Sequence, residues 1–382
     1  GARIALKTTH AALAPIRRWR DRLLSSPDFQ RWTLRLPIVR WIARRRMREL
    51  FDLCSGFVYS QVLLACVRLD LFSLLAAAPR RADELEALTR IDSGPLLRLL
   101  DAAASLRLIE KRDKDRWGLG PLGAALRGNP SVGLMVEHHA ALYADLADPL
   151  ALLRGDLTES QLGQFWAYSR NDQAGKLELD QTRNYSELMA ASQAMIADQV
   201  LAAYSLRSHR RHLDVGGGAG AFAIAALGRY RQLESTVFDL PSVADIASQR
   251  FAQAELSARA STSAGDFTVD PLPAGADLVS LIRILHDHDD DAALAILRSC
   301  RDALTPDGVL LIAEPMLGTR GAEPVSAAYF GLYLMAMGQG RPRDVETLSD
   351  FLRAAGFARI RQHPTSAPLL TRVLTARLAD QP

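Results

Sequence analysis

Arg211-His212-Leu213-Asp214-Val215-Gly216-Gly217-Gly218-Ala219-Gly220 decides how this chain folds. A short apolar strand ends in Asp214-Val215 and passes directly into a run of glycines. A helical pattern, Ala221 to Leu227, follows at once. Strand, glycine turn and helix in that order open a doubly wound sheet. Glycine reaches positive φ cheaply and carries no Cβ, so the backbone can approach a ligand closely. The helix N-terminus behind the turn directs free N–H groups at a negative group seated there. Alone, the turn also fits a dinucleotide pattern with Ala221 in the third slot, so the downstream residues must decide.

Outward from the turn, Glu234 to Leu240 predicts a second strand, ending in Asp239. That acid lies where it can accept both hydroxyls of a ribose. A weaker strand near Ala258–Ser263 leads to Gly265-Asp266-Phe267. Ala276 to Leu285 predicts a third clear strand, stopping at His286-Asp287-His288 and a run of aspartates. Gly308 to Ala313 predicts a fourth, ending in Glu314-Pro315. Glycine turn, Asp, His-Asp and Glu thus fall on the carboxyl edge, where such sheets bind ligands.

In order and spacing, Leu213–Gly220, Phe238-Asp239-Leu240-Pro241, Gly265-Asp266-Phe267, Leu285-His286-Asp287 and Ala313-Glu314 resemble the plant-type S-adenosylmethionine-dependent O-methyltransferases. That family includes the caffeate and acetylserotonin methyltransferases, and the resemblance spans roughly residues 50–378. It implies an α/β fold, a Rossmann-like class I methyltransferase sheet behind an N-terminal helical winged-helix dimerisation domain. It implies S-adenosyl-L-methionine as cofactor, held by Asp214, Gly216, Gly218, Gly220, Asp239, Leu240, Asp266, Phe267 and Arg283. In that family the residue matching Asp239 binds the ribose and that matching Asp266 lies beside the adenine. The residue matching His286 removes the acceptor's proton and the acid matching Glu314 braces it; Asp287 completes the implied catalytic set.

Two departures accompany the resemblance. Plant members carry Lys-Trp before the histidine, where this chain has Ile282-Arg283. Their second bracing glutamate sits in a Gly-Lys-Glu-Arg-Thr turn, which here reads Gly340-Arg341-Pro342-Arg343-Asp344. Proline cannot brace an imidazole, so Glu314 is the one expected support. The implied chemistry needs the acceptor oxygen in line with a methyl carbon and relieved of its proton. Holding both partners so supplies up to about 7–11 kcal/mol. A neutral imidazole oriented by a carboxylate is the usual base near neutral pH.

A chain of 382 residues, 48% hydrophobic and 23% charged, suits a globular protein of two domains. Cys54, Cys66 and Cys300 show neither metal spacing nor a disulfide framework and read as buried thiols in a reducing cytosol, with no metal implied. No secretory signal and no long uninterrupted apolar stretch stand out, so no membrane-spanning helix is expected.

Charge is unevenly placed. Residues 1–48 hold twelve Arg and one Lys against Asp21 and Asp28, which makes +11 and leaves −8 for the remainder. Trp19, Trp32, Trp41 and several aliphatics are interleaved with the arginines. This composition suits an anionic membrane surface; an arm packed across a dimer partner is the competing reading, and nucleic acid comes last.

The organisation expected is a basic aromatic arm (1–48), a winged-helix dimerisation domain (49–125), a helical linker and pocket region (126–206), and a cofactor-binding catalytic domain (207–378). Glu49–Leu75, Asp83–Leu88 and the segment from Ser93 read as helices, with Leu96, Leu99, Leu100 and Ala103 on one face. Leu108–Lys111 and Arg116–Leu119 form a wing around Arg112–Asp115. The helix that would read DNA has only Arg98 as a cation, so dimerisation rather than nucleic-acid binding is expected. His138 and His139 are placed on opposite sides of a helix, and 171–175 reads as a loop, a candidate lid. Ala327–Gly338 is an aromatic and methionine-rich helix. The resemblance makes Tyr329, Tyr333, Met335 and Met337, with His139 and Tyr143, the substrate pocket.

Leu142–Pro149 and Arg283–Asp291 look most like the carotenoid hydroxyl methylases of purple phototrophic bacteria. These act on the tertiary hydroxyl of acyclic carotenoids such as demethylspheroidene. The resemblance therefore implies a hydrophobic acceptor, a homodimer, and a cytoplasmic protein peripheral to the photosynthetic membrane. A phenolic or polyketide O-methyltransferase, a bacteriochlorophyll-precursor C-methyltransferase and a winged-helix S-adenosylmethionine sensor are the alternatives.

Overall fold

The computed structural model describes residues 14–157, 159–164 and 192–379; the lid expected at 171–175 lies outside them. The chain divides into two units, with the boundary between Gly128 and Asn129.

In the first unit the described part of the basic arm, residues 14–48, is helical. Helix Ala14–Ser25 is followed by Pro27–Arg35 and then by the long Pro37–Arg68. Prolines open the second and third helices at positions where their missing N–H costs nothing. Ser26 caps the second by accepting the Phe29 N–H at 3.4 Å. The expected Glu49–Leu75 rhythm is split, because Asp70 adopts a left-handed conformation and starts a separate helix, Leu71–Ala76. β1 (Arg80–Arg81), helices Ala82–Thr89 and Ser93–Ser105, then β2 (Ile109–Lys111) and β3 (Arg116–Leu119) complete a winged-helix module. Its sheet is antiparallel in the order β1-β3-β2. Leu71, Phe72, Leu85, Leu96, Leu100, Ile109 and Trp117 fill its core, each large apolar side chain contributing about 1.5–3 kcal/mol on burial.

One side of the long helix stays uncovered: Leu50, Leu53 and Phe57 recur at helical spacing, and all are exposed. Helix Val39–Arg68 is long and apolar enough to cross a bilayer by length and composition. The run is not uninterrupted, since Asp52, Ser55, Ser60 and Gln61 break it. Cys54 is also exposed, whereas Cys66 and Cys300 are buried as expected.

The second unit carries a seven-stranded sheet, β4 (Arg211–Val215), β5 (Glu234–Asp239), β6 (Ala260–Ala264), β7 (Ala276–Ile282), β8 (Leu304–Glu314), β9 (Phe357–His363) and β10 (Arg372–Leu378). Its order is β6-β5-β4-β7-β8-β10-β9, parallel except for β10, which runs antiparallel to both neighbours. Alternate residues of β8 serve two cores: Leu310 and Ile312 face one side, Val309, Leu311 and Ala313 the other. β7 stops at Ile282, short of the expected Leu285, because Arg283 takes φ 59° and Leu285–Asp287 turns into a 3-10 helix. The histidine therefore stands in a turn beyond the strand rather than on it.

Candidate active site

The glycine turn leaves β4 with Gly216, Gly218 and Gly220 all at positive φ. A Cβ at Gly216 would stand 2.5 Å from Ile284, and one at Gly220 2.7 Å from Phe251. At Gly218 only the end of Gln193 is near, so that residue keeps its surroundings open and needs glycine for its φ alone.

Asp239 closes the turn from the neighbouring strand. Its two oxygens accept the N–H groups of Gly218 and Leu240, each at 2.8 Å. Each oxygen retains a second lone pair. Burial raises its carboxyl above the usual range, against the pull of those two amides. Asp266 accepts both the N–H and the hydroxyl of Thr268, at 2.9 and 2.6 Å, which leaves its other oxygen clear of that turn. Phe267 lies beside Gly216 and meets the His288 ring edge-on at 5.6 Å.

Asp214 is buried beneath the turn. One oxygen accepts the Ser280 hydroxyl at 2.5 Å; the other, Oδ2, has no partner among the described residues and faces Gly217. Burial pushes this acid up to about 7, with Ser280 opposing and the charge of Asp239 adding. An orphaned buried carboxyl oxygen calls for a cation or donor. Behind it, His212 bridges Ser235 and Ser280, at 2.8 Å to each hydroxyl. Ser280 spends its only proton on Asp214, so His212 Nε2 donates to Ser280 and Nδ1 accepts from Ser235. Sequence reasoning missed this chain of bonds; polar residues at matching positions of three adjacent apolar strands were its signal. A side-chain-free turn, a diol acceptor and an orphaned carboxylate together fit the nucleoside and the charged amino-acid part of S-adenosylmethionine.

His286 is buried in the 3-10 turn. Nε2 stands 3.2 Å from Asp287 Oδ1, and Nδ1 3.6 Å from Glu314 Oε2, an ion-pair distance rather than a hydrogen bond. Glu314, fully buried at the end of β8, accepts the backbone N–H of His286 at 3.2 Å. Burial disfavours the imidazolium, but Asp287 and Glu314 outweigh it and push the ring up to about 9. The neutral imidazole expected from the sequence is thus replaced at pH 7 by a cation between two carboxylates.

The missing second brace has a different replacement. Arg343, 2% exposed, donates to the carbonyls of Leu285 and His288 at 2.7 Å each, and to Asp290 at 2.8 Å. Arg341 pairs with the same Asp290, and Gly340, at φ 85°, packs against the His286 carbonyl. The turn around Pro342 therefore holds the backbone of the histidine turn instead of its ring.

On the acceptor side, His139 and His138 contact Tyr329 and Tyr333 at 2.9 and 2.8 Å. Both imidazoles meet the same helical segment, contrary to the opposed placement expected. Adjacent helical positions lie only about 100° apart, and the two rings sit 6.4 Å from one another. Burial lowers both, His138 to about 4, and pushes Tyr329 up to about 12, so these groups are neutral at pH 7. A π-helical turn, Pro324–Tyr329, feeds helix Phe330–Met337. Phe330 links the two sides of the site, its ring 5.0 Å from Tyr329, 6.2 Å from His286 and 5.9 Å from the Arg283 guanidinium. Arg283 thus stands at the aromatic wall, with no contact to the glycine turn in evidence. Tyr143 is half-buried on helix Pro130–Asp145. The expected methionines part company: Met337 packs into the core with Leu142 and Leu162, while Met335 is exposed in an outer groove.

Known proteins share this arrangement. A family profile described as an O-methyltransferase domain matches residues 143–358, and an O-methyltransferase dimerisation domain matches residues 51–127. The demethylspheroidene O-methyltransferase of Cereibacter sphaeroides is 40% identical over 363 residues, covering 94% of this chain and 95% of that protein. The enzyme of the same name from Rhodobacter capsulatus is 41% identical over 348 residues, covering 90% and 85%. Human N-acetylserotonin methyltransferase, solved in complex with S-adenosylmethionine, superposes with a TM-score of 0.65 at 25% identity, covering 87% of this chain and 98% of that one. These relatives are bacterial and human, so the label plant-type gains no support from them. With a winged dimerisation module ahead of a glycine-turn sheet that ends in His286 and Glu314, the chain belongs to the S-adenosylmethionine-dependent O-methyltransferase family.

Proposed function

We propose that this protein methylates the tertiary hydroxyl of an acyclic carotenoid such as demethylspheroidene, with His286 as the base. The observation that carries the reading is the 40% identity, over 94% of the chain, to an enzyme named for that acceptor. The neutral aromatic wall of Tyr329, Phe330 and Tyr333 suits a hydrocarbon acceptor.

The cofactor supplies an electrophilic methyl group on a sulfonium. Gly216, Gly218 and Gly220 would leave room for it, Asp239 would take the ribose hydroxyls, and Asp266 with Phe267 would border the base. Asp214 Oδ2 would take the amino-acid cation. Leu240 supports Asp239 through its backbone N–H. An aliphatic alcohol holds its proton far too tightly to ionise first. In its neutral form His286 would therefore accept the proton as the acceptor oxygen takes the methyl group from the sulfonium, and would pass it towards Asp287, whose side chain is 25% exposed. Glu314 fixes the ring through charge and through the backbone bond to His286.

Residues 1–48 act as an arm and 207–378 as the catalytic domain, and the dimerisation domain supports a homodimer as the working unit. Since such an acceptor is dissolved in lipid, the enzyme works at the cytoplasmic face of the photosynthetic membrane. Labelled-methyl transfer tests the reading: a hydroxylated acyclic carotenoid in detergent should yield the methyl ether. Methylation of a simple phenol but not of the carotenoid would overturn it.

A further inference from the structure

Residues 14–48 precede the dimerisation domain, which begins at 51, and carry eleven arginines against Asp21 and Asp28. Arg20 meets Asp21, Arg31 meets Asp28 and Arg45 meets Glu49. All three pairs are exposed and contribute little. The helices are two-sided. In Ala14–Ser25, Ile16, Trp19 and Leu23 share one side at helical spacing. In Pro27–Arg35, Phe29 and Trp32 stand ring to ring at 5.8 Å, while Arg31 lies about 160° round the helix from Phe29. Trp19, Trp32 and Trp41 are 66%, 54% and 61% exposed. Arginine with outward tryptophan on short helices is the chemistry of a helix lying at a lipid headgroup layer.

What covers this surface follows from charge. The dimerisation domain starts beyond it, whereas the alignment to the Cereibacter sphaeroides enzyme leaves out fewer residues than the arm contains. A segment so positive also repels its own copy across a two-fold axis.

We propose that residues 14–48 adsorb in the plane of an anionic phospholipid surface, with the arginines on headgroup phosphates and Trp19, Trp32 and Trp41 seated among the headgroups. The proposal rests on the carotenoid reading for its purpose only, and its test contains no acceptor.

Full-length protein is co-sedimented with vesicles of phosphatidylcholine alone and of phosphatidylcholine with phosphatidylglycerol. Binding is expected to the mixed vesicles only, and to be released at 1 M salt, where screening shortens to about 3 Å. Two triple variants, Trp19→Ser/Trp32→Ser/Trp41→Ser and Arg18→Glu/Arg22→Glu/Arg35→Glu, should each weaken it more than about tenfold. Both should keep the dimer in sedimentation velocity and bind S-adenosylhomocysteine in calorimetry as the parent does. Equal pelleting on pure phosphatidylcholine overturns the proposal, as does salt-resistant pelleting, the mark of a spanning helix. Loss of the dimer with vesicle binding unchanged also overturns it, and assigns the arm to the partner subunit. A failure of the carotenoid reading registers separately, as absent methyl transfer in detergent.

Discussion

Ser280 Oγ lies 2.5 Å from Asp214 Oδ1, and this one hydroxyl sets the direction of every hydrogen bond beneath the glycine turn. Because Asp214 is raised to about 7 by burial, it is half-protonated near neutrality and must ionise to meet a cation. Cofactor affinity should therefore rise as pH increases through about 7, level off above, and release a proton on binding below that value. Calorimetry in buffers of differing ionisation heat measures that proton. Ser280→Ala removes a bond to the charged form, worth about 1.5–3 kcal/mol, and should move the midpoint up by roughly one to two pH units. Asp214→Asn should weaken binding and abolish its pH dependence. A pH-independent affinity in the parent enzyme would sink this account.

The pair His286–Asp287, 3.2 Å apart, makes an opposite statement about the base. With the ring held at about 9, only about one molecule in a hundred carries a neutral imidazole at pH 7. The kcat/KM profile should climb with pH and bend near 9. Asp287→Asn removes the first of the two raising charges and should bring the bend down towards the ordinary 6.5. His286→Ala should cost about a hundredfold or more in turnover while cofactor binding persists. The sign for stability follows: the raised pKa stabilises the fold fully below 6.5, and that contribution disappears as pH rises through about 9. Denaturant titrations of the parent and of His286→Gln over that window should converge towards the alkaline end.

Some of this was legible in the chain and some was not. Asp239 and Glu314 could be placed because each closes a strand, and Asp266 and His286 because each follows one, and strand ends share one edge of the sheet. Arg343 could not, because its partners are the carbonyls of Leu285 and His288, and a backbone acceptor leaves no trace in side-chain pattern. The extra turn after Ile282 was hidden for a related reason: Leu285 continues the apolar run, and only the φ of Arg283 ends the strand. Likewise the His138 and His139 contacts depend on where the Tyr329–Tyr333 helix lies, which helical periodicity does not specify.

The uncovered side of the long first-unit helix gives a prediction about assembly. Leu53 and Phe57 are 81% and 67% exposed, within the span matched by the dimerisation domain. Apolar side chains so placed normally mark an interface. Leu53→Asp/Phe57→Glu should turn the dimer into a monomer in sedimentation velocity at micromolar concentration. The module's own core is built from other residues, so its helical circular dichroism should remain. A variant that stays dimeric would move the interface elsewhere.

Arg343 tests how the histidine turn is held. Its guanidinium is buried, and truncation to Met would leave two carbonyls without their donor and Asp290 with Arg341 alone. Leaving a buried carbonyl unsatisfied in this way costs about 1–3 kcal/mol. Arg341, more exposed and paired with the same Asp290, should cost only about 0–1 kcal/mol when replaced by Ala. A purely structural role predicts that Arg343→Met lowers the melting temperature while kcat, measured well below it, is unchanged. If Arg343 positions His286, kcat falls at that temperature while KM for the cofactor stays near the parent value, since the glycine turn is untouched. Arg343→Lys separates charge from geometry. One ammonium cannot serve both carbonyls and the carboxylate along the three directions a guanidinium offers, so kcat should recover only in part. Full recovery with Lys would show that charge alone matters, and that the fork to Leu285 and His288 does not set the base.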